Sequence, residues 1–135
     1  LPSDQTHGGW PGSGEIDIME YVGYQPDSVY STVHTERFNG MKNTQKTAGI
    51  HTETVASDFH VYVLDWDADH MAFYMDGQPI NTFQNLRDGV DAWPFDRPFH
   101  LLLNVAVGGN WGGKKGVDEA AFPQKMLVDY VRVYQ

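Results

Sequence analysis

Residues 13 to 21 read SGEIDIMEY, which sets Glu15, Asp17 and Glu20 inside a run that otherwise favours a β-strand. Alternate residues of a strand share a face, so Glu15 and Asp17 point one way and Ile16 and Ile18 the other. Glu20 then falls on the wrong side. One extra residue in a β-bulge at or beside Met19 restores it, because a bulge sets two residues against one and shifts the alternation by a step. All three acids then line one face, and the two isoleucines are left for a core.

Three carboxylates on one face repel one another, raise at least one pKa and lower stability, so a purely architectural origin is hard to defend. Paired carboxylates of unequal pKa are what glycoside hydrolysis needs: one ionised to attack or steer the sugar carbon, one protonated to donate to the leaving oxygen. A third acid between them can tune both. Two other readings stay open on chemistry alone, a calcium site built from oxygen ligands and a solvated acidic strand face.

The elements that must hold these acids are strands and turns. Apolar and β-branched runs at residues 15–21, 29–35, 59–66, 71–75, 99–107 and 126–134 are separated by Gly, Asp, Asn and Pro clusters, the signature of an antiparallel all-β domain. Asp76-Gly77 predicts a tight hairpin turn between residues 71–75 and 78–83. Residues 67 to 70 read as the preceding turn. A short helix fits only residues 84–92, where Gly89 weakens it. The Gly-rich segments 8–14 and 108–116 read as loops, and neither follows the strand-loop-helix order of a phosphate-binding loop. Two sheets packed as an antiparallel β-sandwich are the natural way for such strands to cover one another.

Composition narrows the partner. The 135 residues suit one domain, 41% of them are hydrophobic, and no apolar run approaches the roughly 20 residues of a membrane helix. Eighteen acidic residues against nine basic ones give a charge of -9, which disfavours nucleic acid and anionic membrane surfaces. The partner expected is neutral or cationic. There is no cysteine, which fits either redox compartment. The chain starts at Leu1 with no leader pattern, which reads as a mature or cut piece of something longer.

The stretch Gly9-Trp-Pro-Gly-Ser-Gly-Glu-Ile-Asp-Ile-Met-Glu-Tyr-Val-Gly23 closely resembles the active-site segment of glycoside hydrolase family 16, in particular its laminarinase-like endo-β-1,3-glucanases. Pro98-Phe-His-Leu-Leu-Leu-Asn-Val-Ala-Val-Gly-Gly-Asn-Trp111 and Val128-Asp-Tyr-Val-Arg-Val-Tyr-Gln135 extend the likeness over nearly the whole chain. The resemblance implies a jelly-roll sandwich of the concanavalin A type and hydrolysis with retention. It makes Glu15 the nucleophile, Asp17 the helper that hydrogen-bonds and positions it, and Glu20 the general acid/base. Met19 matches the bulged, laminarinase-like branch. Retention requires about 5 to 5.5 Å between the Glu15 and Glu20 carboxyl groups.

Sugar rings have apolar faces and polar edges, so tryptophans, amides and imidazoles are their usual partners. Trp10 and Trp111, in Gly-rich loops, are candidates for substrate contact, with loop packing as the alternative; Trp66 and Trp93 read as core or turn residues. His34 lies in a strand expected beside the catalytic one, and in the family a His here can reach the cleft; the alternative is a half-buried strand histidine. Asn104 interrupts an apolar strand and must bond backbone or substrate. Asp65-Trp-Asp-Ala-Asp-His70 imitates half an EF-hand, but His70 stands where Gly is wanted, Asp76 where Glu is wanted, and flanking helices are missing. Asp129 shares the Leu127, Val131 and Val133 face of the last expected strand and so needs a partner; the family often places a structural calcium on the matching Asp, and a salt bridge is the alternative. The six histidines show no zinc spacing, and no cofactor is expected for catalysis.

Family 16 catalytic domains are typically longer, with the catalytic strand near mid-chain, so residues 1–135 read as the C-terminal portion of one catalytic domain. A half sandwich leaves unpaired edges, and a second polypeptide supplying the N-terminal half, or a truncated form stabilised by association with another copy, is the expectation. The expected activity is endo-hydrolysis of β-1,3-glucan outside the cell, the location following from the family and the polymeric substrate. A non-hydrolytic β-glucan-binding module is the alternative, and mixed-linkage glucan or agarose are alternative substrates.

Overall fold

Asp76 and Gly77 adopt positive φ, 49° and 78°, and close the tightest hairpin of the computed structural model, which describes residues 1–135. The chain divides into two units, Leu1–Leu101 and Leu102–Gln135.

The first unit holds six strands in two antiparallel sheets: β1 (Glu15–Tyr21), β2 (Ser28–His34) and β3 (Lys46–His51) in one, β4 (Tyr62–Trp66), β5 (His70–Met75) and β6 (Gln78–Gln84) in the other. Sequential strands pair, as short turns favour. The turn before β5 is closed by Asp67 N–H on the His70 carbonyl at 3.0 Å, while Asp67 Oδ1 accepts from the Asp69 and His70 amides. β3 was not expected: Lys46-Thr-Ala-Gly-Ile-His51 has weak β propensity, and pairing with β2 along its whole length overrides it.

Alternation along β2 divides the sheet's two faces. Val29, Ser31 and Val33 are fully buried, and Val33 joins Met71, Phe73, Phe83, Trp93 and Phe95 in the core, with Ile16, Leu64, Trp66 and Phe99 packed against it. Trp93 stacks on Phe83 with ring centres 5.4 Å apart, and Trp66 meets Phe99 edge-on, so both tryptophans serve packing as expected. Asn81 Nδ2 reaches the Ser31 and Lys46 carbonyls, tying β6 to β2 and β3.

The β2–β3 connection is pinned by a fully buried Asn39, whose Nδ2 donates to the Thr35 and Glu36 carbonyls at 3.0 Å and whose Oδ1 accepts from the Lys42 amide. Asn39→Ala removes the donor to the buried Thr35 carbonyl and the acceptor of the Lys42 amide, and a loss of about 2 kcal/mol in denaturant unfolding is the expected result.

No helix forms over residues 84–92: residue 84 ends β6, Arg87 takes φ 61° and Gly89 φ 130°, and the chain turns at residues 90–92. The second unit has one regular element, the 3-10 turn Glu119–Ala121, capped by the Asp118 side chain. Residues 108–116 are turns, as expected. The strands expected at 99–107 and 126–134 are absent; beyond an isolated bridge between Pro2 and Phe99, neither segment enters a ladder. A strand needs a neighbour for its N–H and C=O groups. None of the chain's strands pairs with these two, and Leu102, Val107, Leu127 and Val133 are all more than half exposed. Asp129 is exposed with them, which corrects the expectation of a buried carboxylate that must be paired. No helix is long and apolar enough to cross a membrane.

Candidate active site

The three acids meet on one face because of a single irregularity. Along β1 and β2, Glu15 stands opposite His34 and Asp17 opposite Thr32; the register then shifts, and Glu20 stands opposite Tyr30. Continued without the shift, the ladder would set Glu20 opposite Val29, on the core face. The bulge expected around Met19 therefore turns a carboxylate out of the core, and cross-strand pairing puts His34, Thr32 and Tyr30 on the same face as Glu15, Asp17 and Glu20.

Asp17 is the most perturbed of the acids. Burial, then the neighbouring Glu15 and Glu20 carboxylates, push its pKa up to about 8, and it hydrogen-bonds Glu15. At neutral pH Asp17 thus carries a proton it can donate to Glu15. Burial also raises Glu20, against the hydrogen bond from Thr32 and the His34 charge. Thr32 Oγ1 donates to Glu20 Oε2 at 2.5 Å. His34 Nε2 lies 3.5 Å from Asp17 Oδ2, while its Nδ1 is buried without a partner.

Trp10 reaches the same cluster from the preceding loop. Its indole N–H donates to Glu15 Oε2, and its ring lies 5.9 Å from the His34 ring. The loop is held by Ser13, which accepts from the His7 amide and donates to the Gly8 carbonyl, and the Trp10–Pro11 peptide is cis. Gly14 takes φ 83° against Phe95, where a Cβ would come within 2.6 Å of the ring. A concave space of about 400 Å³ borders Glu15, walled by Trp10, Gln5, Ser13, Gly14 and His100. A second, of about 260 Å³, lies beside Tyr30, Gly49 and His51.

Of the residues singled out in the sequence, Glu15, Asp17, Glu20, His34 and Trp10 come together. Asn104 and Trp111 belong to the second unit: Asn104 is exposed, and Trp111, 40% exposed, lies among the Gly-rich turns. The one group of three His, Asp or Glu donors close enough to share an ion is Glu15, Asp17 and His34. Asp129 belongs to no such group. Thr32 and Tyr30 were missed, although alternation from His34 along Tyr30-Ser-Thr-Val-His34 leads to both; Thr47, bonded to Thr32, could not be found before β3 was.

Comparison with known proteins supplies the family. The model of "Glycosyl hydrolases family 16" matches residues 3–132. A β-glucanase of Rhodothermus marinus is 48% identical over all of this chain and 50% of its own length. The solved laminarinase of Rhodothermus marinus superposes with a TM-score of 0.88 at 45% identity, over 91% of this chain and 52% of that one. A β-1,3-glucan-binding protein of Penaeus monodon is 35% identical over 83% of this chain and 38% of its own. This chain thus spans half or less of the length of the curated relatives it matches most fully, which carry the rest in the same polypeptide. Nothing in them supports a separate second polypeptide completing the sheets. The all-β, antiparallel jelly-roll class expected from the sequence is the fold of these laminarinases. With residues 3–132 inside the family match, the chain belongs to glycosyl hydrolase family 16.

Proposed function

We propose that this chain carries the catalytic face of a retaining endo-hydrolase of β-1,3-glucan. The observation that supports this reading best is the register shift between Asp17 and Glu20, which sets a second glutamate on the face of Glu15 at a cost in like-charge repulsion. Glu15 attacks the anomeric carbon as Glu20 gives its proton to the departing glycosidic oxygen, leaving a glycosyl ester on Glu15. Glu20, now a carboxylate, takes a proton from water as that water opens the ester and restores Glu15. Asp17 keeps its proton through the cycle and donates to Glu15, so the nucleophile is oriented without a third negative charge beside it. Trp10 gives the ring face for a sugar and a second donor to Glu15. No step passes through a metal.

Reducing-end release from laminarin, with mixed-linkage glucan and agarose alongside, tests the reading, and proton NMR of the first product formed should show the β anomer. An α anomer would overturn retention. Binding of laminarin with no cleavage would favour a recognition module, the alternative that the likeness to a glucan-binding protein keeps in view. A polymer of this size is met outside the cell, and we place the activity there.

Trp10→Phe keeps an aromatic face and deletes the donor to Glu15. A hydrogen bond to a charged group contributes about 1.5–3 kcal/mol, so kcat should fall at least about tenfold. An equal loss in KM alone would assign Trp10 to sugar binding only.

A further inference from the structure

Glu20 is held by a hydroxyl chain whose direction the structure fixes. Thr32 is 3% exposed, and its single hydroxyl proton goes to Glu20 Oε2. Thr32 Oγ1 also lies 3.1 Å from Thr47 Oγ1, across the β2–β3 pair in which the two residues face each other. With its proton committed, Thr32 can only accept there, so Thr47 donates. The sequence Thr47 O–H, Thr32 O–H, Glu20 Oε2 therefore runs one way, from an exposed residue on β3 to the acid, and each link polarises the next.

We propose that the Thr32–Thr47 hydroxyl pair is the positioning element of the acid/base, fixing Glu20 so that Oε1 is the oxygen that carries its proton to the leaving group. The inference rests on the reading of Glu20 as acid/base. An oxygen that accepts a hydrogen bond is a poor place for the acid's proton, so Oε2 anchors and Oε1 reacts. The same bond favours the ionised form of Glu20 and offsets part of the effect of burial. The ionisable groups that share this face are Glu15 and Asp17 on β1, Tyr30 and His34 on β2, and His51 on β3. Thr32 and Thr47 touch no reacting atom. They act through Glu20.

Thr32→Val is nearly isosteric and removes the donor. In the full chain it should move the alkaline limb of kcat/KM upward by about one pH unit, because the carboxylate loses its hydrogen bond. It should also lower kcat about tenfold with KM little changed. Thr47→Val should act in the same direction and less, and Thr32→Ser should restore both limb and rate. A limb that stays put in Thr32→Val, or a Ser variant as poor as Val, would overturn the proposal. A readout independent of turnover is the carbon NMR titration of the Glu20 carboxyl in wild type and Thr32→Val without substrate. An upward shift supports the relay even if no glucan is cleaved, in which case only the hydrolase reading fails; no shift defeats the relay. Should Thr32→Val not fold, Thr47→Val and Thr32→Ser carry the same test.

Discussion

Glu15→Gln should reduce reducing-end release from laminarin by about four orders of magnitude or more, in the range seen when a nucleophile is removed, with the fold retained. The amide cannot form the glycosyl ester, so the first displacement has no acceptor for the sugar carbon. Folding survives because the side chain lies on the cleft face, outside the core of Val33, Met71, Phe73, Phe83, Trp93 and Phe95. The same variant has a signature in stability. Asp17 titrates near pH 8 in the folded chain against an ordinary value of 3.8, so the folded state holds a proton the unfolded state has lost between those values. Stability from this group is full below pH 3.8, falls as pH rises, and is gone above about 8. Removing the Glu15 charge removes the second-largest cause of that shift. The decline in unfolding free energy from pH 4 to pH 8 should therefore be shallower in Glu15→Gln than in wild type. Lost activity with unchanged pH dependence of stability would mean that the two acids do not sense each other; loss of folding would assign Glu15 to the architecture.

How much of this was legible beforehand depends on what a residue needs in order to declare itself. The acids needed only their own spacing: Glu15, Asp17 and Glu20 are on one strand, and period two plus one bulge is readable from seven letters. Asp76-Gly77 likewise carries its turn in its own backbone preferences. Thr32 needed a partner. Alternation from His34 sets Thr32 on the right face, but its standing opposite Asp17 and within reach of Glu20 is a fact of register between strands. β3 was invisible for the converse reason, being specified by the neighbour it pairs with. Residues 99–107 and 126–134 show the limit from the other side. Their apolar pattern is that of strands, but a pattern describes how side chains would face once a ladder exists, and cannot supply the ladder. Asp129 went with them: its expected burial followed from a strand face that the chain does not form here.

Glu20→Ala should separate the two halves of the reaction. Without the acid, departure of a glucosyl residue from laminarin loses its proton donor, and kcat should drop about 10²- to 10⁴-fold. An aryl β-glucoside of laminari-oligosaccharide with a good leaving group needs no proton, so its first displacement should be little slowed and the ester on Glu15 should accumulate. Its breakdown then lacks the base that activates water. Azide needs no base, and adding it should restore turnover with a β-glycosyl azide as product, since Glu15 occupies the α face of the intermediate. The geometry bears on the outcome twice. Truncation frees Thr32 from its only acidic acceptor, leaving room beside Glu15 and Asp17 where the anion can enter. It also removes one of the charges that raise Asp17, after burial and Glu15. No azide product, with aryl and polymeric substrates slowed alike, would mean that Glu20 transfers no proton and that the acid/base lies elsewhere. An α-azide would mean that Glu15 forms no covalent intermediate, and that the face assembled by the bulge inverts.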